Sequence, residues 1–427
     1  MRYDPIPSSL FSDRRKNFAR KMVRGSIAIL WSNDAMPRNG DQYFPFRQDS
    51  ALFALSGLDQ PGTILVLFPD TTKHKEREIA LIPAHDPAHA IWDGDRYDAR
   101  QARQVSGVST IMTLDQWDRI MPRLIKSASA VYINSRQQEP FPPDVLSQND
   151  RMSDLLKKQY PHQTFLDAAP ILTQLLMIKH QDELAMMRKA VEVTGLAFDQ
   201  VLHHLSPGKK EFEMEAELTY ILAKHGCHHA FQPIVASGAS ACTLHYIQND
   251  RVIGKDDLVL FDFGAEYAGM ASDMSRTIPA SGRFTKRQRA VYQAVLNVLE
   301  EVTAMMRPGV TLMELNKEAG KMIAHELVRL KIISKRDIQR QDPKAPLYRK
   351  YFMHGIGHHL GYDVHDLSDR TTPLKAGMVI TCEPGLYIRE EGIGIRLEND
   401  ILITRGKPKN LMAHIPIDPD EIEDIMN

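Results

Sequence analysis

Gly254-Lys-Asp-Asp-Leu-Val-Leu-Phe-Asp262-Phe-Gly264 and Lys375-Ala-Gly-Met-Val-Ile-Thr-Cys-Glu383-Pro-Gly385 are two versions of one phrase. Each is a run of strand formers that ends on a carboxylate, with a glycine two residues on. What precedes them also repeats. Leu184, Met187, Val191, Phe198, Val201, Leu202 and Leu205 recur at helical spacing and predict a helix over 181–205, stopped by Ser206-Pro-Gly208. A second helix is predicted over 211–224, with Gly226 as its stop. The second phrase follows Val291, Val295, Val298, Val302 and Met305, which predict a helix over 285–306 ended by Arg307-Pro-Gly309. Thr311-Leu-Met-Glu314 then reads as a capping box that opens the next helix. Both phrases run on into a second strand pattern with a further acid, Asp273 and Glu398. Residues 180–427 therefore read as two related helix-helix-hairpin halves, an internal duplication rather than a short-period solenoid.

The duplication carries a chemical consequence. If the halves pack about a pseudo-twofold axis, Asp262, Asp273, Glu383 and Glu398 converge at the seam. Converging carboxylates on buried strands repel and are costly to desolvate. Two divalent cations relieve that cost, and carboxylates bridging a metal pair are a known hydrolytic arrangement. A nitrogen ligand is available in His354-Gly-Ile-Gly-His358-His359-Leu-Gly361. The interleaved glycines argue against a helical zinc motif and for backbone that passes close to something else. His365 follows in Asp363-Val-His365-Asp366. Mainly oxygen donors with one imidazole suit Mn2+, and also Fe2+, Co2+ or Zn2+.

Residues 1 to about 170 read as mixed α/β. Ile27–Trp31, Thr63–Phe68, Ile79–Ile82 and Val131–Ile133 are apolar runs of strand length, separated by helix-like stretches at 96–104 and 115–126. Glu139-Pro-Phe-Pro-Pro143 breaks the pattern. A boundary falls near Asp167-Ala-Ala-Pro170, followed by a connecting helix, which gives an N-terminal domain at 1–172 and a catalytic domain at 173–427.

At this point the residues resemble a known family. Leu244-His245-Tyr246, Asp262-Phe-Gly264, Ser272-Asp273-Met-Ser-Arg-Thr277, His354-Gly-Ile-Gly-His358, Asp363-Val-His365-Asp366, Glu383-Pro-Gly-Leu-Tyr387 and Gly394-Ile-Arg396-Leu-Glu398 are similar, in order, to the motifs of the pita-bread metallopeptidases. With Phe46-Arg47-Gln48-Asp49-Ser50, Ser56-Gly57-Leu58 and Ile91-Trp92-Asp93-Gly94, nearly the whole chain resembles the Xaa-Pro aminopeptidase (aminopeptidase P) family. The resemblance implies an α/β (α+β) chain with a pseudo-twofold pita-bread catalytic domain behind a smaller N-terminal domain. It implies two metals: Asp262 on one, Asp273 and Glu398 bridging, His358 and Glu383 on the other. A hydroxide bridging the metals would attack the scissile carbonyl, and Glu383 would pass the proton to the leaving nitrogen. His245, His354 and His365 would line the substrate site and stabilise the tetrahedral intermediate. Tyr387 and Arg396 would stand behind the ligands, with Arg396 orienting a ligand carboxylate. The substrate would be a peptide with proline second, and the assembly a homodimer or homotetramer. Trp92 matches an aromatic position that can wall a substrate site; the bland alternative is an ordinary buried tryptophan.

Blander readings stand beside these. A prolidase, which cuts Xaa-Pro dipeptides, would share the whole cage. A methionine aminopeptidase would lack the full N-terminal domain. A creatinase-like metal-free hydrolase or a silent peptide-binding protein would lose cage carboxylates, and this chain keeps them. His359 is assigned no role. His203-His204 and His228-His229 read as surface pairs, Arg14-Arg15-Lys16 as a solvated helix face, and the paired methionines as core filling.

Composition bounds the rest. The 427 residues exceed one core, and 43% hydrophobic with 25% charged residues is an ordinary globular mix. A net charge of −1 carries no basic excess for nucleic acid. Cys227, Cys242 and Cys382 form neither a disulfide framework nor a zinc ribbon. No signal-peptide pattern and no membrane-length apolar run is present, so the expectation is a cytoplasmic protein.

Overall fold

The structure, a computed structural model, describes residues 2–134 and 145–427, so the proline-rich piece at 139–143 lies outside the described residues. Two compact units are seen, Pro5–Leu176 and Met177–Asn427, the latter joined by residues 2–4.

The first unit is built on a sheet of six described strands, in the order Thr110–Thr113, Glu78–Ile82, Ile64–Leu67, Ile27–Trp31, Val131–Ile133, Phe165–Asp167. The middle three pair antiparallel, and the outer ones join parallel, so the sheet is mixed. Ile27, Ile29, Trp31, Val66, Leu81 and Val131 fill its core beside Leu124 and Ile125 of the helix Trp117–Ser127. The edge strands Thr110–Thr113 and Phe165–Asp167 are too short and too polar to announce themselves by alternation.

Arg14-Arg15-Lys16 departs from the expected solvated face. Only Lys16 is exposed; Arg14 and Arg15 are buried. Arg15 donates to the carbonyls of Leu55 and Ser106 at 2.8 and 2.9 Å and pairs with Glu78 at 3.0 Å, while Arg14 donates to the Leu175 carbonyl. The guanidinium fork satisfies several backbone acceptors that no apolar side chain could reach, which is why a charged helix face lies inward.

In the second unit the helices Gln181–His204 and Glu211–Lys224 pack on one another, as do Lys286–Met305 and Leu312–Arg329. The capping box forms: Thr311 Oγ1 accepts from Glu314 N–H at 3.2 Å and Glu314 Oε2 accepts from Thr311 N–H at 2.8 Å. The strand Leu258–Phe263 runs between Ile234–Ser237 and Met274–Pro279, placing Asp262 opposite Ile234 and Ser275. Its counterpart Val379–Cys382 pairs with Asn399–Leu402, and Gly385–Ile388 forms a hairpin with Ile393–Arg396. The halves meet where Glu398 N–H donates to Ser275 O at 3.0 Å and where Arg396 N–H donates to Thr277 Oγ1 at 3.2 Å.

Two glycines permit this closeness. A Cβ on Gly264 would lie 1.8 Å from Ser272 O, and one on Gly357 would lie 2.0 Å from Thr381 O. The segment His354–Gly361 is irregular rather than helical, tied by His358 N–H to Thr381 Oγ1 at 3.1 Å. A buried ion pair between Lys179 and Asp366, at 2.9 Å, holds the end of this segment, where Asp366 N–H also donates to His359 O. Among the described residues, no helix is long and apolar enough to cross a membrane.

Candidate metal centre

Of the four acids, only Asp262 lies within a strand. Asp273 immediately precedes Met274–Pro279, Glu383 stands between Val379–Cys382 and Gly385–Ile388, and Glu398 between Ile393–Arg396 and Asn399–Leu402. Three acids therefore sit at strand breaks, not on continuous strands as the pattern suggests. A break frees the carboxylate from the alternation of the pleat and lets it turn into the seam.

There the acids gather with His358. Asp273, His358 and Glu398 each offer a ligand atom within 4.8 Å of the others. His358 Nε2 is 3.3 Å from Asp273 Oδ2 and 3.7 Å from Glu383 Oε1. Its Nδ1 is 3.1 Å from His359 O, so the proton on Nδ1 points at that carbonyl and the Nε2 lone pair faces the carboxylates. Asp262 Oδ2 accepts from Arg396, whereas Asp262 Oδ1 is buried with no hydrogen-bond partner among the described residues. Glu398 Oε2 accepts from Ser275 Oγ at 2.8 Å.

Burial pushes the carboxyls of Asp273 and Glu398 well above the usual carboxylate range. Neighbouring acids add to it, Asp262 foremost for Asp273 and Asp273 foremost for Glu398. Burial also raises Glu383, against the opposing pull of His358 and Arg396. Crowded buried acids with an orphaned oxygen are what a divalent cation satisfies, so the donor set fits one. Its oxygen-rich composition fits a hard or borderline ion.

Arg396 connects the cage to the histidines. Its guanidinium reaches Asp262, Ser275 Oγ at 2.9 Å and the Tyr387 hydroxyl at 2.8 Å. Tyr387 in turn lies 2.7 Å from His354 Nε2, while His354 Nδ1 lies 2.8 Å from Gly355 O. Nδ1–H therefore donates to Gly355 O and Nε2 accepts from Tyr387. Burial, then Arg396, lowers His354 to about 3; burial, then His358, lowers His365 to about 4. Both imidazoles are neutral near pH 7.

A cavity of about 540 Å3 opens over these groups, lined by Asp262, Asp273, Glu383 and Glu398 as well as His245, His354, His358 and His365. Phe231, Leu244, Ile247, Leu312 and Val364 form its apolar wall, and Arg370 lies at the same cavity. Tyr387 is buried behind it. Trp92 belongs to the other unit, in the helix Pro87–Asp93, and is 85% exposed, which removes the alternative of a buried core tryptophan. His203 and His204 are exposed as expected. His229 is not a surface residue: it pairs opposite Ala265 and lies half-buried, with Nε2 2.8 Å from Thr219 Oγ1.

Asp400 is a further buried acid beside the cage that the motifs do not single out. It is fully buried, accepts from Asp273 N–H at 3.3 Å, and is pushed up to about 8, chiefly by burial. The signal was available: it follows Glu398 by two residues, the period of a strand face.

Comparison with known proteins agrees with this geometry. Residues 185–405, just over half of the chain, match the metallopeptidase family M24. The chain belongs to that family. Residues 11–132 match the aminopeptidase P N-terminal domain. This M24 enzyme is 32% identical to the Xaa-Pro aminopeptidase of Haemophilus influenzae, over 99% of this chain and 98% of that one. It is 33% identical to the Xaa-Pro aminopeptidase of Escherichia coli, over 97% of each. Its structure is similar to that of E. coli aminopeptidase P with the inhibitor Pro-Leu, with a TM-score of 0.89 and 31% identity over 99% of both chains. The enzyme is thus a metallo-aminopeptidase with the pita-bread fold, as the sequence resemblance implied.

Proposed function

We propose that this M24 enzyme removes the first residue from peptides with proline in second position, using two divalent metal ions. The observation that carries the reading is the convergence of Asp273, His358, Glu383 and Glu398 beside Asp262, whose Oδ1 is buried without a partner among the described residues. Asp262 would hold one metal, Asp273 and Glu398 both, and His358 with Glu383 the other. When bound, the pair supplies Lewis-acid polarisation of the scissile carbonyl and acidifies a water. Mn2+ suits the donors best, with Zn2+, Co2+ and Fe2+ as competitors.

The chain's own groups do the rest. Glu383, which lines the cavity beside the cage, would pass the proton to the leaving nitrogen. His245, with the neutral His354 and His365, would offer N–H donors toward the carbonyl oxygen as charge develops on it. His354 reaches a substrate only by exchanging Gly355 O or Tyr387 for it. Arg396 holds Asp262 from behind. Phe231, Leu244 and Val364 favour an apolar ring against the wall, which suits proline. The names of the full-length relatives support Xaa-Pro specificity.

Exposed Ile91 and Trp92 support association as a homodimer or homotetramer, with Trp92 walling a substrate site. Buried free thiols at Cys227, Cys242 and Cys382 suit a reducing, cytoplasmic setting. Hydrolysis of Xaa-Pro-Xaa against Xaa-Pro peptides tests the specificity. Release of the first residue from tripeptides supports it; cleavage of dipeptides alone makes the enzyme a prolidase.

A further inference from the structure

His245 stands on a loop, yet the loop is fastened at several points. Leu244 and Tyr246, on either side of it, pack against the cluster of Ile234, Ala236, Leu260 and Tyr387, which leaves His245 facing the cavity. Beneath the loop lies Glu211, fully buried. Its Oε2 accepts from the Tyr246 hydroxyl at 2.8 Å and from Arg251 N–H at 3.0 Å. Its Oε1 accepts from Ser237 N–H at 2.7 Å and Ser237 Oγ at 2.6 Å. One carboxylate thus ties the start of the helix Glu211–Lys224, the end of the strand Ile234–Ser237 and two points of the loop that follow His245.

Asn249 supplies a second fastening. It is 1% exposed and adopts a left-handed backbone, φ 48°, which asparagine tolerates better than most residues. Its Oδ1 accepts from Val235 N–H at 2.9 Å, and its Nδ2 donates to Pro233 O at 3.0 Å and Glu215 Oε2 at 2.9 Å. Pro233 and Val235 flank Ile234, the residue paired with Asp262. The loop is therefore registered, through one side chain, on the strand position next to the candidate metal ligand.

We infer that Glu211 and Asn249 are positioning residues that set where His245 stands relative to Asp262. The inference rests on the reading that His245 contacts substrate. Neither residue is among those that line the cavity, so each acts on it through the loop and the strand that it holds together.

Double-mutant cycles on the metal-loaded enzyme test this, with Xaa-Pro-Xaa kinetics, metal content and melting temperature read together. Asn249→Gly keeps the backbone accessible and deletes the side-chain bonds; Tyr246→Phe is the milder companion, removing one hydroxyl. Each is expected to retain both metals, and Asn249→Gly to lower kcat/KM by about 10–100-fold, with Tyr246→Phe changing it less in the same direction. In a His245→Ala background the same changes are expected to cost no more than about twofold, because the group they position is gone. Losses that persist in full in that background overturn the inference. A crippled His245→Ala enzyme beside Asn249→Gly and Tyr246→Phe enzymes of normal kcat/KM overturns it alone. A His245→Ala enzyme of normal kcat/KM overturns the substrate contact itself, and the inference with it.

Discussion

Arg396 grips Asp262 through Oδ2, and among the described residues Oδ1 of the same carboxylate is buried and unpartnered. The guanidinium is itself braced by Ser275 and Tyr387, so it aims one oxygen and leaves the other free for a cation. A lysine could not span these three partners, since its ammonium is a point donor rather than a fork. Arg396→Lys is expected to lower kcat/KM by about 10–100-fold and to weaken metal retention. Steady-state kinetics with a metal titration check this; normal values in both would remove Arg396 from the account of Asp262.

His354 and His365 line the cavity and lie outside the proposed ligand set, so His354→Ala and His365→Ala are expected to keep both metals. Loss of donors to the developing oxyanion commonly costs about 10²–10³-fold, and a fall of that order in kcat/KM is expected. Collapse of the metal content would make these histidines ligands and redraw the division of roles.

Metal removal should expose the strain among the acids. Asp273, Glu398 and Asp400 bind a proton more tightly folded than unfolded, where carboxyls titrate near about 4. Their contribution to stability is full below the unfolded value and is lost as pH rises through the folded one, about 8 for Asp400. His354 and His359 have the opposite sign. Lowered to about 3, chiefly by burial, they lose stability only as pH falls below the ordinary histidine range of about 6.5. Between about pH 7 and about pH 9 the carboxyls therefore decide the slope. Chelator-treated protein is expected to melt progressively lower across that window, and metal-loaded protein to change far less. Parallel curves would contradict a cation among these acids.

Trp92 is 85% exposed, so Trp92→Ala is expected to shift stability by no more than about 0.5 kcal/mol, against about 3–5 kcal/mol for a core aromatic. If it walls a substrate site, KM should rise for longer peptides more than for short ones. Thermal melting with peptide kinetics separates the cases, and unchanged kinetic constants would end the substrate-wall role. A clean monomer in sedimentation at micromolar concentration would end the proposed association.

Much of this was legible in advance, for reasons particular to each element. The helix Gln181–His204 shows a long apolar period and sharp stop residues, and Thr311 with Glu314 writes a cap whose two bonds are both local. The strand Leu258–Phe263 is apolar apart from Asp262 because its side chains are covered, so that acid stands out. The duplication pointed to convergence of the acids; the separate roles came from family resemblance. Glu211 and Asn249 stayed hidden because their partners lie 14 to 40 residues away in the chain. Arg15 reads as solvated for a similar reason, since the carbonyls of Leu55 and Ser106 that draw it inward lie in other elements. Asp273, Glu383 and Glu398 read as strand residues because a break in a ladder leaves little mark on composition.

Asp262, Asp273, His358, Glu383 and Glu398 are proposed to hold two cations, with Asp273 and Glu398 shared between them. Elemental analysis of purified, metal-loaded protein and of its Glu398→Gln variant tests it most directly. The expected result is two metal ions per chain in the unaltered enzyme, loss of at least one in the variant, and no turnover of Xaa-Pro-Xaa peptides by it. Two ions retained by Glu398→Gln, with near-normal rates, would contradict the cage.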